Sequence, residues 1–201
     1  MRYRLTMSAT ALVLAAGVAS AQVQTQGAAT PMPVAQQIAS AVLPAPAEFR
    51  EGATVLGYGA DGKLATLREG KGPYVCLATN PQEKQFHVSC YHRALEPFMA
   101  RGRALRAQGI TDRARVDSIR FAEVKSGKLP MPTTGALYQL FGGTFDAATG
   151  TVPGSSPLVV VYIPNATAES TGLSAKPSET MPWIMFPGTP KAHIMFVPDM
   201  R

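Results

Sequence analysis

The chain lacks a long hydrophobic run: nothing after Ala21 stays apolar for the ~20 residues needed to cross a bilayer, so no transmembrane segment is expected beyond that point. It also lacks the local signatures of the common hydrolases. There is no Gly-x-Ser-x-Gly elbow, no Ser-x-x-Lys with its companion motifs and no His-Glu-x-x-His. Gly57-Tyr58-Gly59 follows an apolar segment but leads into another strand-like one, which removes the helix terminus that a phosphate cradle requires and leaves a turn. No dense basic stripe is present, and a net charge of +6 is a mild excess, so nucleic acid is not an expected partner. Only two cysteines and three histidines occur in 201 residues, which leaves few groups from which to assemble a metal or redox centre.

What is present begins with an export signal. Arg2 and Arg4 precede an apolar run from Met7 to about Val18, and Ala19-Ser20-Ala21 places small residues where a signal peptidase reads. Residues 1–21 are therefore expected to be removed before Gln22. Arg2 and Arg4 are separated by Tyr3, which excludes a twin-arginine signal, and no cysteine at the cleavage site could carry a lipid. The Ala-rich style of the signal is bacterial, and the expected location is periplasmic or secreted. Loss of both arginines lowers the charge by two, to +4, and leaves about 180 residues, enough for one domain with its own core. Residues 22–33, rich in Gln, Thr, Ala, Gly and Pro without hydrophobic period, read as a flexible lead-in, and residues 34–201 as a single domain.

Within that domain the hydrophobic period changes twice. Val34, Ile38 and Val42 recur every four residues and predict a short helix that ends before Pro44-Ala45-Pro46 and docks by this stripe. Thr54 to Tyr58, Lys63 to Leu67 and Tyr74 to Ala78 read as strands of an antiparallel meander, broken by Asp61-Gly62 and Gly72-Pro73. Phe86 to Tyr91 adds a fourth, with Asn80-Pro81-Gln82-Glu83 as the turn. Helical spacing follows at Leu95, Phe98, Met99, Gly102 and Leu105, with Pro97 tolerated in the first turn and Gly109 as the stop. A second helix is expected from a Thr111 cap to Ser126-Gly127, its Arg113 and Asp117 on a solvated face. The remaining strands are Ala136 to Phe141, Leu158 to Ile163, Trp183 to Phe186 and Ala192 to Val197. Leu158 to Val161 is apolar on both faces and is expected to be covered on each side, whereas the N-terminal strands tolerate solvent on one side.

The fold expected is α+β: a mainly antiparallel sheet of about six to eight strands, two central helices packed on one face, and one cross-strand disulfide. Folding the hairpin about Glu83 sets Cys76 opposite Cys90, at the ~4.5–5.5 Å separation that a disulfide accepts.

Candidate site residues are few. His87, Cys90 and His92 form the densest polar grouping, with His193 distant. The odd spacing of His87 and His92 turns them to opposite sides of a strand, so no metal site is expected. Met181, Met185, Met195 and Met200 read as core filling rather than a copper site. Ser170, Thr171 and Lys176 share the long connection from Pro164 to Pro182, whose length marks either an excursion or a functional loop. Arg93, Arg101, Arg103, Arg106, Arg113 and Arg115 make a local basic zone that reads as solvated surface. No cofactor is expected. The function these absences favour is non-catalytic binding of a small molecule or an envelope protein by an exported module. A metal-dependent or histidine-based enzyme built on His87, His92 or His193 is the alternative, and it requires at least two of them to converge.

Overall fold

A computed structural model describes residues 30–198. The expected signal and residues 22–29 of the lead-in lie outside the described residues. The last residues of the lead-in run beside the first helix, α1 (Val34–Ala41), where the Met32 carbonyl accepts from Gln37 Nε2 at 2.7 Å. Gln37 is buried and also pairs with the backbone of Tyr58, donating to its carbonyl at 2.9 Å and accepting from its N–H at 2.8 Å. The expected stripe docks in part: Val42 is buried in the core and Ile38 packs against it, whereas Val34 is 49% exposed and the helix is seated also by Gln37, Ser40 and Ala41. The backbone of an outgoing strand offers α1 better-paired contacts than Val34 could.

Eight strands among the described residues form one mostly antiparallel sheet: β1 (Thr54–Tyr58), β2 (Leu64–Arg68), β3 (Tyr74–Leu77), β4 (His87–His92), β5 (Gly135–Phe141), β6 (Ser156–Tyr162), β7 (Trp183–Met185) and β8 (His193–Phe196), in the order β2-β1-β3-β4-β5-β6-β8-β7. The N-terminal part is not the expected meander, because β1 and β3 are parallel. The cause lies in the connection between β2 and β3. Gly72 N–H donates to the Gly52 carbonyl at 2.7 Å, and a Cβ on Gly70 would stand 2.3 Å from that same oxygen, so only glycine lets the chain recross β1 here. Arg93 holds the crossing closed, donating to the carbonyls of Gly70 at 2.8 Å and Gly72 at 3.0 Å and to Thr54 Oγ1 at 3.0 Å.

The hairpin between β3 and β4 does pair Cys76 with Cys90, and the two are joined by a disulfide with both residues fully buried. Its turn is closed by Glu83 N–H donating to the Asn80 carbonyl at 2.9 Å. Because side chains alternate, residues of these strands divide between two layers. Cys76, Cys90 and Tyr74 face α1 and pack with Val42, Ala45 and Val55. Val75 and Tyr91 face the opposite way and pack with Leu95, Leu137, Val160 and Tyr162. The expectation that the N-terminal strands tolerate solvent holds at β2, where Leu64, Ala65 and Thr66 are exposed, and is corrected for β3 and β4, whose central residues are buried on both faces.

Two central helices, α2 (Glu96–Ala107) and α3 (Arg113–Lys125), pack on the face opposite α1. A 3-10 turn at Arg93–Leu95 precedes α2, whose Pro97 stands in the first turn, and Phe98, Gly102 and Leu105 are its buried positions. The cap of α3 is Asp112 rather than Thr111: its carboxylate accepts from Arg115 N–H at 2.8 Å. The carboxylate is the stronger acceptor for this terminus, where it also meets the positive end of the helix dipole. Arg101 joins the helices by donating to both oxygens of Glu123, at 2.6 and 2.8 Å. Beneath α2, Arg103 bridges Tyr91 Oη at 2.8 Å and Glu96 Oε1 at 2.6 Å, and the Tyr91 hydroxyl donates to Glu96. Much of the basic zone is thus spent on structure rather than solvated. No helix among the described residues is long and apolar enough to cross a membrane.

Candidate functional site

The three histidines occupy three separate places. His87 and His92 sit at the two ends of β4, roughly 17 Å apart at strand rise. His193 lies three strands from β4, about 14 Å away at strand spacing. His87 is stacked on Phe141 at 4.4 Å between rings, with Glu83 at 3.3 Å and Gln139 at 3.2 Å from its nitrogens. His92 uses Nδ1 to accept the Ala94 N–H at 3.3 Å, which starts the turn into α2. Cys90 is in the disulfide. Among the described residues no three His, Cys, Asp or Glu side chains come together as a metal would require. Ser170 and Thr171 belong to a short helix, α4 (Ala168–Thr171), where Ser170 Oγ accepts from Thr167 N–H at 2.9 Å and Thr171 Oγ1 donates to the Thr167 carbonyl at 2.8 Å. Their hydroxyls are occupied as helix caps, while Lys176 is exposed and its backbone N–H binds Ser174 Oγ at 3.0 Å.

The groups that do converge lie at one end of the sheet, where β6 ends in Tyr162, β8 begins with His193 and α3 crosses above. Tyr162 pairs with His193, and His193 pairs with Met185 of β7, so the three side chains form one row facing α3. The Tyr162 and His193 rings stand 5.0 Å apart, and Phe186 closes the other side of His193 at 5.7 Å. Lys191 lies 4.4 Å above the Phe186 ring and donates to Asp117 Oδ2 at 2.9 Å. The second oxygen of Asp117 accepts from Arg120. Arg120 in turn lies 3.9 Å over the Phe98 ring and donates to the Phe98 carbonyl at 3.2 Å. A continuous polar relay thus ties the β7–β8 loop to α3 and then to α2.

Burial sets the protonation of this relay. It pushes the Asp117 carboxyl up, but hydrogen bonds from Lys191 and Arg120 outweigh it and hold the group below the ordinary aspartate range. Burial pushes the Tyr162 hydroxyl up to about 12, so it stays protonated. The His193 ring is lowered, by burial first and by the Lys191 charge, against the opposing effect of its 2.7 Å contact with the Lys191 carbonyl. That contact makes Nδ1 the donor in the neutral ring. Two donors in this region, Arg120 Nε and Trp183 Nε1, are sealed from solvent without a partner. An aspartate saturated by two cations and a tyrosine held neutral are poor acids or bases near neutrality, so the relay is suited to holding loops in place.

Those loops are laced together. Asn165 N–H donates to the Thr189 carbonyl at 2.8 Å, Gly188 N–H to Ala166 at 2.7 Å and Ile163 N–H to Ala192 at 2.9 Å. Asn165 and Phe186 are the two non-glycine residues with positive φ among the described residues, at 65° and 53°. Asparagine tolerates this conformation, but for phenylalanine it costs about 1–2 kcal/mol. The Phe186 carbonyl is held by Thr189 Oγ1 at 2.8 Å, which keeps the ring over His193. On the outer side of the paired loops, two concavities meet at Asn165 and Val124. One, of about 510 Å³, runs between Phe121, Ala122 and Lys125 of α3 and Gly188 and Pro190. The other, of about 350 Å³, is walled by Leu129, Met131, Thr133 and Pro164. A further hollow of about 440 Å³ lies between residues 30–32 and the turns at Asn80 and Gly142, at the opposite end of the sheet and away from the relay.

Asp117, Arg120, Lys191, Tyr162 and Asn165 are residues that the sequence reading missed. One signal was present: Arg120 stands four residues after the buried Val116, hence on the inward face of α3, where a solvated arginine is out of place. Comparison with family models, with curated proteins and with solved structures finds no match for this chain.

Proposed function

We propose that the chain is exported and acts as a non-catalytic binding module, holding a small, largely apolar, anionic molecule in the cleft between α3 and the paired loops 163–167 and 186–192. The observation that carries this reading is the meeting of two concavities at Asn165, with Lys125 the one ionisable side chain on their walls. Binding clefts for small molecules have this make-up, apolar walls with a few placed polar groups on a stiff frame. The stiffness comes from the relay behind the cleft, and the Lys125 ammonium supplies an anchor for one negative group.

The chain recovered from its export compartment is expected to begin at Gln22. Anilinonaphthalene sulfonate, an apolar anion, serves as the probe on that chain. It is expected to bind saturably, and Ala122→Trp, an exposed helix position facing the cleft, weakens it at least roughly tenfold without shifting the melting temperature. Unchanged probe affinity in the Ala122→Trp variant sinks the cleft as the site.

A further inference from the structure

Helices α2 and α3 carry three acids, and each is engaged: Glu96 by Arg103 and the Tyr91 hydroxyl, Glu123 by Arg101, and Asp117 by Arg120 and Lys191. Asp112, just before α3, is turned to the first turn of that helix as its cap. Arg106, near the end of α2, is left with no acceptor among the described residues. Its guanidinium nevertheless lies over its own helix, next to another cation. A Cβ at Gly102 would stand 3.0 Å from Arg120 Nη1 and 3.5 Å from Arg106 Nη1. The two nitrogens are therefore at most about 6.5 Å apart, a gap that an oxyanion closes with bonds of ~2.7–2.9 Å to each. Arg120 is 5% exposed and uses two of its five hydrogens, on the Phe98 carbonyl and on Asp117, and its Nε–H is sealed without an acceptor. Burial, then the charges of Arg120, Arg113 and Arg103, hold Arg106 below the ordinary guanidinium range against the opposing effect of Asp117. A guanidinium stays charged at any working pH, so Arg106 is a cation set among cations without a counter-ion of its own.

We propose that Arg106, with Arg113 and the underlying Arg120, binds the phosphoryl group of a phosphate monoester on the saddle over Gly102. The charge balance selects this class of ion. Three cations bear on Arg106 against one carboxylate, and both oxygens of that carboxylate are already held by Arg120 and Lys191. A phosphate monoester brings a charge of about −1.5 to −2 and three acceptor oxygens, enough to serve guanidiniums on two sides. A carboxylate brings one charge and two oxygens in one plane, which suits a single arginine fork. Arg106, Ala107 and Gln108 are exposed, so the saddle grips the phosphoryl group and leaves the esterified part outside. The site is separate from the cleft at Lys125, which stands twelve residues beyond Arg113, about 18 Å along α3.

Calorimetric titration of the chain beginning at Gln22 with inorganic phosphate, over a constant chloride background, tests this. Vesicles of phosphatidylcholine with and without phosphatidic acid form a second arm. Saturable binding of inorganic phosphate is expected, and Arg106→Gln weakens it at least roughly tenfold. Arg115→Gln, on the same helix as Arg113 but not among the charges that bear on Arg106, leaves it nearly unchanged. Without phosphate, Arg106→Gln is expected to melt at the wild-type temperature or above it, because an uncompensated cation has been removed. Binding of inorganic phosphate assigns the site to a soluble monoester. Arg106-dependent binding of phosphatidic acid vesicles alone assigns it to a lipid headgroup with the same phosphoryl chemistry. The proposal is overturned if neither probe binds, if Arg115→Gln loses as much affinity as Arg106→Gln, or if phosphate-free Arg106→Gln melts below the wild type, as loss of a structural contact would make it do. Arg106→Gln should leave anilinonaphthalene sulfonate binding unchanged, and Ala122→Trp should leave phosphate binding unchanged, so either site can fail without the other.

Discussion

The two halves of the sheet are built on different terms. In β3 and β4 the side chains pointing to either face are buried: Val75 and Tyr91 at 2% exposure toward α2 and α3, Cys76 and Cys90 at 0% toward α1. In β6 the inward Val160 and Tyr162 are buried at 4% and 6%, while Val159 and Val161 on the other face keep part of their surface in water. The first half is held by two apolar layers and a covalent bond. The second is held by one apolar layer and a chain of charges and rings that reaches from Phe186 through Lys191, Asp117 and Arg120 to Phe98. Function is better placed on the second kind of half, because a polar relay positions loops without filling the space outside them, whereas a double-covered core leaves no surface to offer.

The sharpest way to break the comparison is to cut the covalent bond. Cys76→Ala with Cys90→Ala opens a ring of sequence separation 14, which by the chain-entropy argument costs about 3 kcal/mol in urea unfolding. A loss below about 1 kcal/mol would mean that the two apolar layers alone secure the first half. Next in size, Asp117→Asn takes the carboxylate from a buried Arg120 and from Lys191, and about 2 kcal/mol of stability is expected to go with it. The pH dependence has a definite sign. The Asp117 pKa is lower in the folded chain than in the unfolded one, so its contribution is complete above about pH 4 and is lost as the pH falls through the folded value. Asp117→Asn should flatten that acid limb; an acid limb identical in the variant would show that the relay's charge pairing contributes nothing.

The smallest effect is expected at His193. Its folded pKa is also below the unfolded value near 6.5, so the neutral ring stabilises the fold above that pH, and this contribution fades as the pH falls through the folded pKa. His193→Asn, which keeps a donor for the Lys191 carbonyl, should remove this decline without touching the acid limb of Asp117. A decline that persists in His193→Asn would assign it to another group and take the His193 ring out of the account of the second half.

The first half was the more legible in the sequence. Thr54–Tyr58 emerged at its observed bounds, and the opposition of Cys76 and Cys90 followed from counting outward from Glu83, because a hairpin's register is set by its own local geometry. The parallel placement of β3 beside β1 was not legible, since Gly70 and Gly72 look like turn residues until their backbone is seen against Gly52. The site was legible only in part. His193 was singled out, but Asp117 was read as solvated because charge on a helix ordinarily faces water, and nothing local announces that Lys191 arrives 74 residues later to pair with it. Ser170 and Thr171 drew notice as loop hydroxyls, although their partners are only three or four residues away and make them caps.

Taken alone, the amino-acid order determined what depends on neighbours along the chain: the α+β class, most strand bounds, the two central helices and the cross-strand disulfide. Tertiary structure decided what depends on distant neighbours: which way β3 runs beside β1, that Gln37 of α1 pairs with Tyr58, that Val159 and Val161 are only half-buried, and that Tyr162, Lys191 and His193 meet Asp117 and Arg120. The physical reason is range. Hydrophobic period and turn chemistry are set within a few residues, whereas burial of a charge or exposure of a valine is set by how far an eight-residue helix reaches across an eight-stranded sheet.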